Sequence, residues 1–375
     1  MVMPLGPDFA KALGIPASQL GLVGGSYTAA ASVAGIAGSF FLDRFDRRKV
    51  LFIAMLGLGL GTLAGGFATG LGTLLVARVI AGIFGGPATS VSLSIIADVV
   101  APARRGRAMG VVMGMFSLAS IAGVPLALEL ARVGGWRIPF FVVGGVVLVV
   151  TIAVMTMLPP MRDHLTHKST TTTLDLPLLR RPEVLQTYFA IALSMFGAFL
   201  MIPNMSAFFQ FNLGYPRASL GFLYFVGGSV SFVMMRVAGR LVDRYSAFAV
   251  ALVSAAIIIT TLCVGYIVTP PLLPAVFIFT GFMMGMSIRG VVVSSLSSHV
   301  PRPAERARYM SFQSAVQHIA CAFGAFASTR FLHEGPGGIL IGMPALAVVT
   351  ALLTVLVPFI LRLVELKVRR KEVLV

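Results

Sequence analysis

Cationic side chains stand inside long apolar stretches of this chain. Arg78, Arg236 and Arg289 each interrupt a run that is otherwise uncharged and long enough to cross a lipid bilayer. A charge within hydrocarbon is costly, so such a residue usually faces a water-filled cavity or a partner. Arg78 lies about seven residues into its run, roughly 10 Å deep at 1.5 Å per residue. It is therefore predicted to line a substrate cavity and bind polar groups; the alternative is that it snorkels and only anchors its helix.

A second polar set lies between residues 309 and 330. Gln313 and Gln317 are four residues apart and so share one face of a helix, and His318 follows directly. Together with Arg289 these side chains are predicted to line the cavity in the C-terminal half, where they would bind polar or anionic groups. The alternative is that they hydrogen-bond to neighbouring helices, as polar residues in membrane proteins routinely do.

Acidic residues are rare in the apolar stretches. The chain has 13 Asp and Glu residues, and only Asp98 and Glu129 lie near a span, both close to a membrane face. Proton antiport needs a group that loads and releases protons, and His318, a residue type that titrates near neutral pH, is the candidate that the residues themselves offer. The sequence has no paired acids at mid-span, no cluster of metal ligands and no nucleotide loop. We therefore expect neither an enzyme nor a bound metal or cofactor.

Composition indicates a membrane protein built of helices. The chain is 57% hydrophobic and 11% charged, with a mean hydropathy of +0.95, whereas soluble domains carry about 25% charged residues. Runs of roughly 20 apolar residues, enough to cross about 30 Å of hydrocarbon as a helix, recur along it. The fold is predicted to be an all-α polytopic bundle with eleven complete spans, at residues 18–42, 50–69, 72–97, 108–130, 138–158, 186–208, 218–241, 247–268, 273–297, 309–330 and 338–361.

The chain contains a long internal repeat. Residues 13–21 read LGIPASQLG and residues 213–221 read LGYPRASLG, so five residues recur at an offset of 200. The pair Asp43-Arg44 recurs at the same offset as Asp243-Arg244. A repeat of this length in so apolar a chain predicts two six-helix halves that rock about a shared central site.

Eleven spans are an odd number for a duplicated six-helix unit. The offset places the counterpart of the span at 186–208 mostly upstream of Met1. We therefore expect only the end of a truncated first helix in this sequence; the alternative is that Met1 is the true start and eleven spans are complete. The predicted organisation is an N-terminal half at 1–158, a cytoplasmic linker at 159–185, a C-terminal half at 186–362 and a basic tail at 363–375.

Lys and Arg residues are distributed unevenly between alternate loops. Of the 29, the predicted loops on one side of the membrane hold 21 and those on the other side hold five. Positively charged loops stay in the cytoplasm, so the C-terminus is predicted to be cytoplasmic and Met1 to lie at the outer side of the inner (plasma) membrane. The net charge of +16 is then expected to face anionic lipid headgroups rather than nucleic acid.

Two loops carry a resemblance to a known family. Residues 39–49, SFFLDRFDRRK, resemble the loop signature of the major facilitator superfamily, with Ser39 and Asp46 in place of its glycines; residues 239–244, GRLVDR, resemble it more closely. The resemblance implies a transporter that works by alternating access. A carboxylate here would sit at the positive N-terminus of a neighbouring helix; the alternative is that it only caps its loop. The implied inner gate consists of Asp43, Arg44, Gly239, Asp243 and Arg244.

Two further motifs extend the resemblance. Residues 78–82, RVIAG, are similar to the superfamily's fourth-span motif, which is associated with proton coupling, although Ala81 stands where a glutamine is common. Residues 123–126, GVPL, resemble the antiporter motif of the drug and sugar (arabinose-type) efflux branch, with its Gly-Pro pair interrupted. The alternative for Gly123 and Pro125 is a role in helix packing.

These features predict a secondary active transporter that exports a drug, sugar or metabolite in exchange for protons. We expect a monomer whose partners are its small-molecule substrate, protons and membrane lipids. Neutral or anionic solutes are favoured over lipophilic cations because the buried charges are mainly arginines. Two alternatives stay open: a transport-inactive sensor or scaffold, which binds a ligand without flux, and an uptake permease for a polar or anionic solute.

Overall fold

The structure is a computed structural model that describes residues 2–39, 42–100, 104, 112, 115, 118–162, 178, 180–268, 271–301 and 305–373. These residues form twelve α-helices and one short antiparallel β-ribbon, so the predicted all-α fold is confirmed. The helices are α1 (Gly6–Leu13), α2 (Leu20–Ser39), α3 (Arg47–Gly66), α4 (Leu71–Val99), α5 (Val124–Gly134), α6 (Ile138–Met157), α7 (Pro182–Ala207), α8 (Leu220–Arg244), α9 (Ala247–Leu262), α10 (Ala275–His299), α11 (Arg306–Phe331) and α12 (Met343–Val373). The ribbon pairs β1 (His333–Glu334) with β2 (Leu340–Ile341).

Within the described residues, nine helical segments are long and apolar enough to cross a membrane, against the eleven spans predicted. The predicted span at 108–130 lies partly outside the described residues. The predicted span at 309–330 is helical throughout as α11, but that helix is more polar than the nine. Part of the predicted basic tail, residues 363–373, continues α12 as regular helix.

The sequence repeat is also a repeat of backbone geometry. Gly14 and Gly214 both adopt the left-handed conformation, with φ of +64° and +63°, which glycine reaches without a Cβ penalty. Each is followed by a 3-10 turn, Ala17–Gln19 in the first copy and Arg217–Ser219 in the second. These turns lead directly into α2 and α8, which begin at the same position of the repeat.

Helix packing separates two groups of helices. In the first, α2 packs on α4, α4 on α3 and α3 on α6; in the second, α7 packs on α11 and α12, α8 on α10, and α9 on α10 and α12. The groups meet where α2 packs on α11 and where α5 packs on α8. The central joint is therefore built by one pair of helices from each half.

The contacts of α2 with α11 and of α5 with α8 both depend on glycines that let helix backbones approach closely. A Cβ at Gly21 on α2 would collide with the carbonyl oxygen of Ala325 on α11. A Cβ at Gly228 on α8 would lie 3.2 Å from the carbonyl oxygen of Ser120, in the π-helical turn that precedes α5. Small residues of this kind allow tight helix pairs in membranes.

Candidate functional site

Arg78 is a half-buried cation of the N-terminal half. It lies on α4 beside α2, and its Cζ is 4.5 Å from the centroid of the Tyr27 ring, which is a cation–π geometry. Its Nε is buried without a hydrogen-bond partner among the described residues. A donor left unpaired in a buried place carries a free-energy cost that a polar ligand would remove.

Glycines on α4 bring the Arg78 and Tyr27 side chains together. A Cβ at Gly82 would collide with the carbonyl oxygen of Tyr27, and one at Gly86 would collide with that of Ala31. The backbones of α2 and α4 are therefore almost in contact. The Arg78 guanidinium lies over the tyrosine ring.

The polar residues of α11 divide between two roles. Gln313 is engaged within the C-terminal half, because its Oε1 accepts a hydrogen bond from Ser297 Oγ on α10 at 2.9 Å. Gln317 and Ser314 are exposed side chains. His318 is half-buried, with its Nδ1 2.8 Å from the carbonyl oxygen of Ser314 one turn earlier. Of the predicted cavity residues on α11, Gln313 is thus engaged with α10, whereas Gln317 is exposed and His318 contacts its own helix.

Arg289 lies inside the C-terminal half rather than between the halves. It is 4% exposed, and its guanidinium donates to the carbonyl oxygen of Ser194 at 3.0 Å and to Thr354 Oγ1 at 3.3 Å. Met286 Sδ contacts the same guanidinium at 2.7 Å. These contacts tie α10 to α7 and α12. The predicted cavity residues are therefore not brought together as one cluster.

The helix α2 contacts both of the helices that carry Arg78 and the polar residues of α11. It packs on α4, which carries Arg78, and on α11, which carries Gln317 and His318. Arg78 and the α11 residues thus belong to opposite halves and flank one shared helix.

The predicted gate residues lie where α2 and α8 end. Asp43 and Arg44 are in a 3-10 turn, Leu42–Arg44, while Gly239, Asp243 and Arg244 continue α8 as regular helix. Asp243 is exposed and lines a cavity of about 300 Å³. The other residues around that cavity also belong to the C-terminal half: Val242, Tyr245, Ala247, Ser295, Leu296, His299, Glu365 and Val368.

The antiporter-like motif faces the other half. Gly123 ends the π-helical turn Ala119–Gly123, and Pro125 is in the first turn of α5, where proline is tolerated. The carbonyl oxygen of Pro125 lies 3.9 Å from where a Cβ of Gly221 on α8 would be. The motif therefore forms part of the contact between α5 and α8.

Polar contacts at the two ends of the bundle differ. At the face where α2 and α8 begin, which we call the first face, they join the halves: Arg217 pairs with Asp8, and Glu334 accepts from the Ala17 N–H. At the face where α2 and α8 end, the second face, the contacts printed for the described residues join elements of a single helix group. There Arg181, next to α7, binds Glu305, next to α11, and Lys367 of α12 binds Gln186 of α7.

Asp46 illustrates the contacts of the second face. Burial of its carboxylate opposes ionisation, but hydrogen bonds from the backbone N–H of Met161, the Arg162 side chain and the backbone N–H of Arg48 hold the pKa of Asp46 below its ordinary value. The carboxylate caps the N-terminus of α3 and ties it to the end of α6. Arg48 belongs to α3, and Met161 and Arg162 lie at the start of the predicted linker, directly after α6.

Comparison with known proteins places this fold. The family model described as Major Facilitator Superfamily matches residues 1–325. The chain belongs to the Major Facilitator Superfamily. It is therefore a multi-pass membrane protein of this family, as the two loop motifs predicted.

The individual proteins that resemble this chain do so at low sequence identity. The "Purine ribonucleoside efflux pump NepI" of Escherichia coli strain 536 is 28% identical over 242 residues, which cover 62% of this chain and 60% of that protein. The matched stretch thus spans less than two thirds of the relative. Among solved structures, a D-xylose-proton symporter superposes with a TM-score of 0.73 at 16% identity, covering 96% of this chain and 91% of the other. A bacterial homologue of the human lysosomal transporter Spinster, inward-facing and occupied, superposes with a TM-score of 0.69 at 17% identity, covering 97% and 92%.

Sequence reasoning missed several residues of the site. Tyr27 was not singled out, although the glycines of α4 signal a helix packed closely against that span. Arg217 was counted only as a loop cation, and Asp8 and Glu334 were not considered. Asp8 pairs with Arg217 and Glu334 with Ala17, at separations of 209 and 317 residues. A single sequence does not reveal such pairs.

Proposed function

We propose that the chain exports a small polar solute across the inner membrane by alternating access, in exchange for protons. The observation that carries the proposal is the difference between the faces: described polar contacts join the halves at the first face and stay within halves at the second. A carrier closed on one side and open on the other is expected to have this distribution of contacts.

The charge distribution supplies the orientation. The loops of the second face carry most of the Lys and Arg residues, so we place this face in the cytoplasm. The first face then lies outside, and the C-terminus lies inside. The structure corresponds in this proposal to the state that receives solute from the cytoplasm.

The substrate path runs beside α2. Arg78 supplies an unpaired donor next to an aromatic ring, and Gln317 and His318 approach from α11. We assign Gln313 and Arg289 the task of holding α10 and α11 in position behind them. A ring beside a guanidinium suits a planar, neutral or anionic solute, so purine ribonucleosides, named for the Escherichia coli relative, are the first class to test.

Proton coupling is assigned to Arg78 and His318. The described complete spans carry no acid at mid-depth, so these are the polar groups next to the path that can respond to a proton or to the charge it brings. The inner gate is assigned to Asp43, Arg44, Gly239, Asp243 and Arg244. In the state described, Asp243 is exposed, as expected for an open inner gate.

The test is transport in everted membrane vesicles, in which export appears as uptake. Purine ribonucleosides, sugars and drugs are each added to energised vesicles, and solute accumulation is recorded together with proton release. Arg78→Ala should lower transport about tenfold, the effect of losing one charge-assisted hydrogen bond. Arg330→Ala, which removes an exposed arginine at the end of α11, is the matched control.

Each outcome has a distinct meaning. Accumulation that depends on Arg78 but not on Arg330 supports the proposal. Equal effects of the two substitutions would return Arg78 to an anchoring role. Binding of a solute without flux would favour the sensor or scaffold, and accumulation in right-side-out vesicles instead would favour an uptake permease.

A further inference from the structure

The 3-10 turns that lead into α2 and α8 are each held by a carboxylate of the other half. Glu334 Oε2 accepts a hydrogen bond from the backbone N–H of Ala17 at 2.8 Å, and Asp8 Oδ1 accepts one from Arg217 Nε at 2.6 Å. Ala17 and Arg217 are equivalent positions of the repeat. The two bonds therefore cross between the halves in opposite directions at related sites.

The Asp8–Arg217 pair is the stronger of the two bonds. The side chains of Asp8 and Arg217 are 21% and 25% exposed, so solvent screens this ion pair less than it screens a fully exposed one. Arg217 Nη2 also donates to the carbonyl oxygen of Leu128 on α5 at 3.3 Å. One arginine of the C-terminal half thus holds α1 and α5 of the N-terminal half.

Glu334 is positioned by the β-ribbon between α11 and α12. The ribbon is pinned to the end of α7 by Asn212, whose side chain donates to the carbonyl oxygen of Leu340 and accepts from its N–H, each at 2.9 Å. The carboxylate is therefore presented to Ala17 from a braced support. Because Glu334 is exposed, its bond is expected to contribute less than that of Asp8.

The helices directly below these bonds are in backbone contact. Gly21 lies one turn beyond Ala17 and packs against Ala325 of α11, and Gly221 lies one turn beyond Arg217 and faces Pro125 of α5. If the first face opened, the α2–α11 contact and the α5–α8 contact would separate together with the two bonds above them. The two bonds and the two helix contacts therefore form one closed joint.

We propose that Asp8–Arg217 and Glu334–Ala17 form an outer latch, which holds the first face closed and limits how often it opens outward. The inference rests on the proposed alternating access and orientation, but it needs no knowledge of the substrate. Loss of the latch shifts the resting population towards the outward-open state, because only the closed state makes these bonds.

The experiment measures opening of the first face directly. Cys263→Ala and Cys321→Ala remove the native thiols, and Gly221→Cys places one thiol in the joint, where a Cβ meets nothing closer than 3.9 Å. A membrane-impermeant maleimide is added to intact cells without substrate, and the initial labelling rate is recorded. Arg217→Gln, Asp8→Asn and the double variant are compared in this background.

Arg132→Gln is the matched control. Arg132 forms an ion pair with Glu129 at the same distance of 2.6 Å, and both residues lie on α5, so this bond does not cross between halves, although the charge of Arg217 also reaches Glu129. We expect Arg217→Gln and Asp8→Asn each to raise the labelling rate about fivefold, and the double variant to add little, because either substitution already breaks the same bond. Arg132→Gln should not raise the rate, because it breaks no bond between the halves and leaves Glu129 to attract Arg217.

Two results would overturn the latch. One is a labelling rate in Arg217→Gln equal to that in Arg132→Gln. The other is a charge exchange, Asp8→Arg with Arg217→Asp, that fails to return the rate towards that of the parent. Labelling only in everted vesicles would instead contradict the proposed orientation, and a working latch in a protein without flux would contradict the proposed export.

Discussion

The two faces of the bundle are held by different kinds of contact. At the first face, Asp8 and Glu334 each bind the opposite half; at the second face, Asp46 and Glu365 each cap a helix of their own half. The first arrangement joins the halves, and the second ties neighbouring elements of one helix group together. This difference supports our proposal that the halves move relative to each other about a joint that is closed at the first face.

The two halves cap equivalent helices with different side chains. At equivalent positions of the repeat, α3 is capped by Asp46 from the preceding loop, whereas α9 is capped by Ser246 and by Glu365 from α12. Glu365 accepts from the N–H groups of both Ala247 and Phe248 at 3.2 and 3.0 Å. The free N–H groups of a helix start must be satisfied, but the repeat does not dictate by which side chain.

The largest effect on transport is expected from a change that prevents the first face from closing. Gly21→Ala puts a Cβ into the carbonyl oxygen of Ala325, so we expect transport to fall about a hundredfold, roughly 2.7 kcal/mol in the energy of the closed state. Gly35→Ala is the control on the same helix, because a Cβ there meets nothing within 4 Å. Vesicle transport at matched expression measures both. Similar rates in the two variants would mean that this crossing is not part of the joint.

The rigidity of the second face is tested by Glu365→Ala. The carboxylate is 7% exposed and accepts two backbone N–H bonds, so its loss should lower the free energy of unfolding by about 2 kcal/mol. Lys367→Ala, which removes one hydrogen bond to Gln186 from the same helix, should cost less than half as much. Denaturant unfolding in detergent compares them, and equal losses would show that α9 does not depend on Glu365.

Gating at the second face predicts a smaller effect on transport. Asp243→Asn keeps the size of the side chain but removes the charge that the closed inner gate is proposed to use, so flux should fall about fivefold while membrane insertion stays intact. Asp243 is exposed in the state described, so thermal stability should change little. Unchanged flux would remove Asp243 from the gate.

The smallest predicted effect concerns pH. Because the pKa of Asp46 is lowered in the folded protein, its contribution to stability is present above the unfolded pKa of about 3.9 and is lost as pH falls through the folded pKa. Asp46→Asn should therefore cost about 1 kcal/mol at pH 7 and progressively less below pH 4. Thermal unfolding of both proteins across this range gives the answer. A constant difference would assign the effect to packing rather than to charge.

The repeat made much of the fold predictable. The motif at residues 13–21 and its copy share a left-handed glycine and a 3-10 turn, features fixed by local residue types. The helices themselves follow from apolar runs. The span at 309–330 was predicted as well and is helical as α11, although its composition is more polar than that of the nine apolar segments.

The candidate site was less predictable than the fold. Burial in apolar runs identified Arg78 and Arg289 equally, yet only one has an unpaired buried donor and the other is bonded within its half. Which way a helix is turned depends on its neighbours, and the sequence of one helix does not contain that information. The same limit applies to Arg217, whose partner lies 209 positions away.

The central claim is that the two faces open in turn. It is tested most directly by electron spin resonance distances between labels on opposite halves: Lys11→Cys with His333→Cys at the first face, and Lys49→Cys with Tyr245→Cys at the second, all at exposed positions. We predict a short first-face distance and a long second-face distance at rest, changing in opposite directions when an outward-directed solute gradient is applied to reconstituted protein. Distances that stay fixed, or that lengthen together, would contradict alternating access.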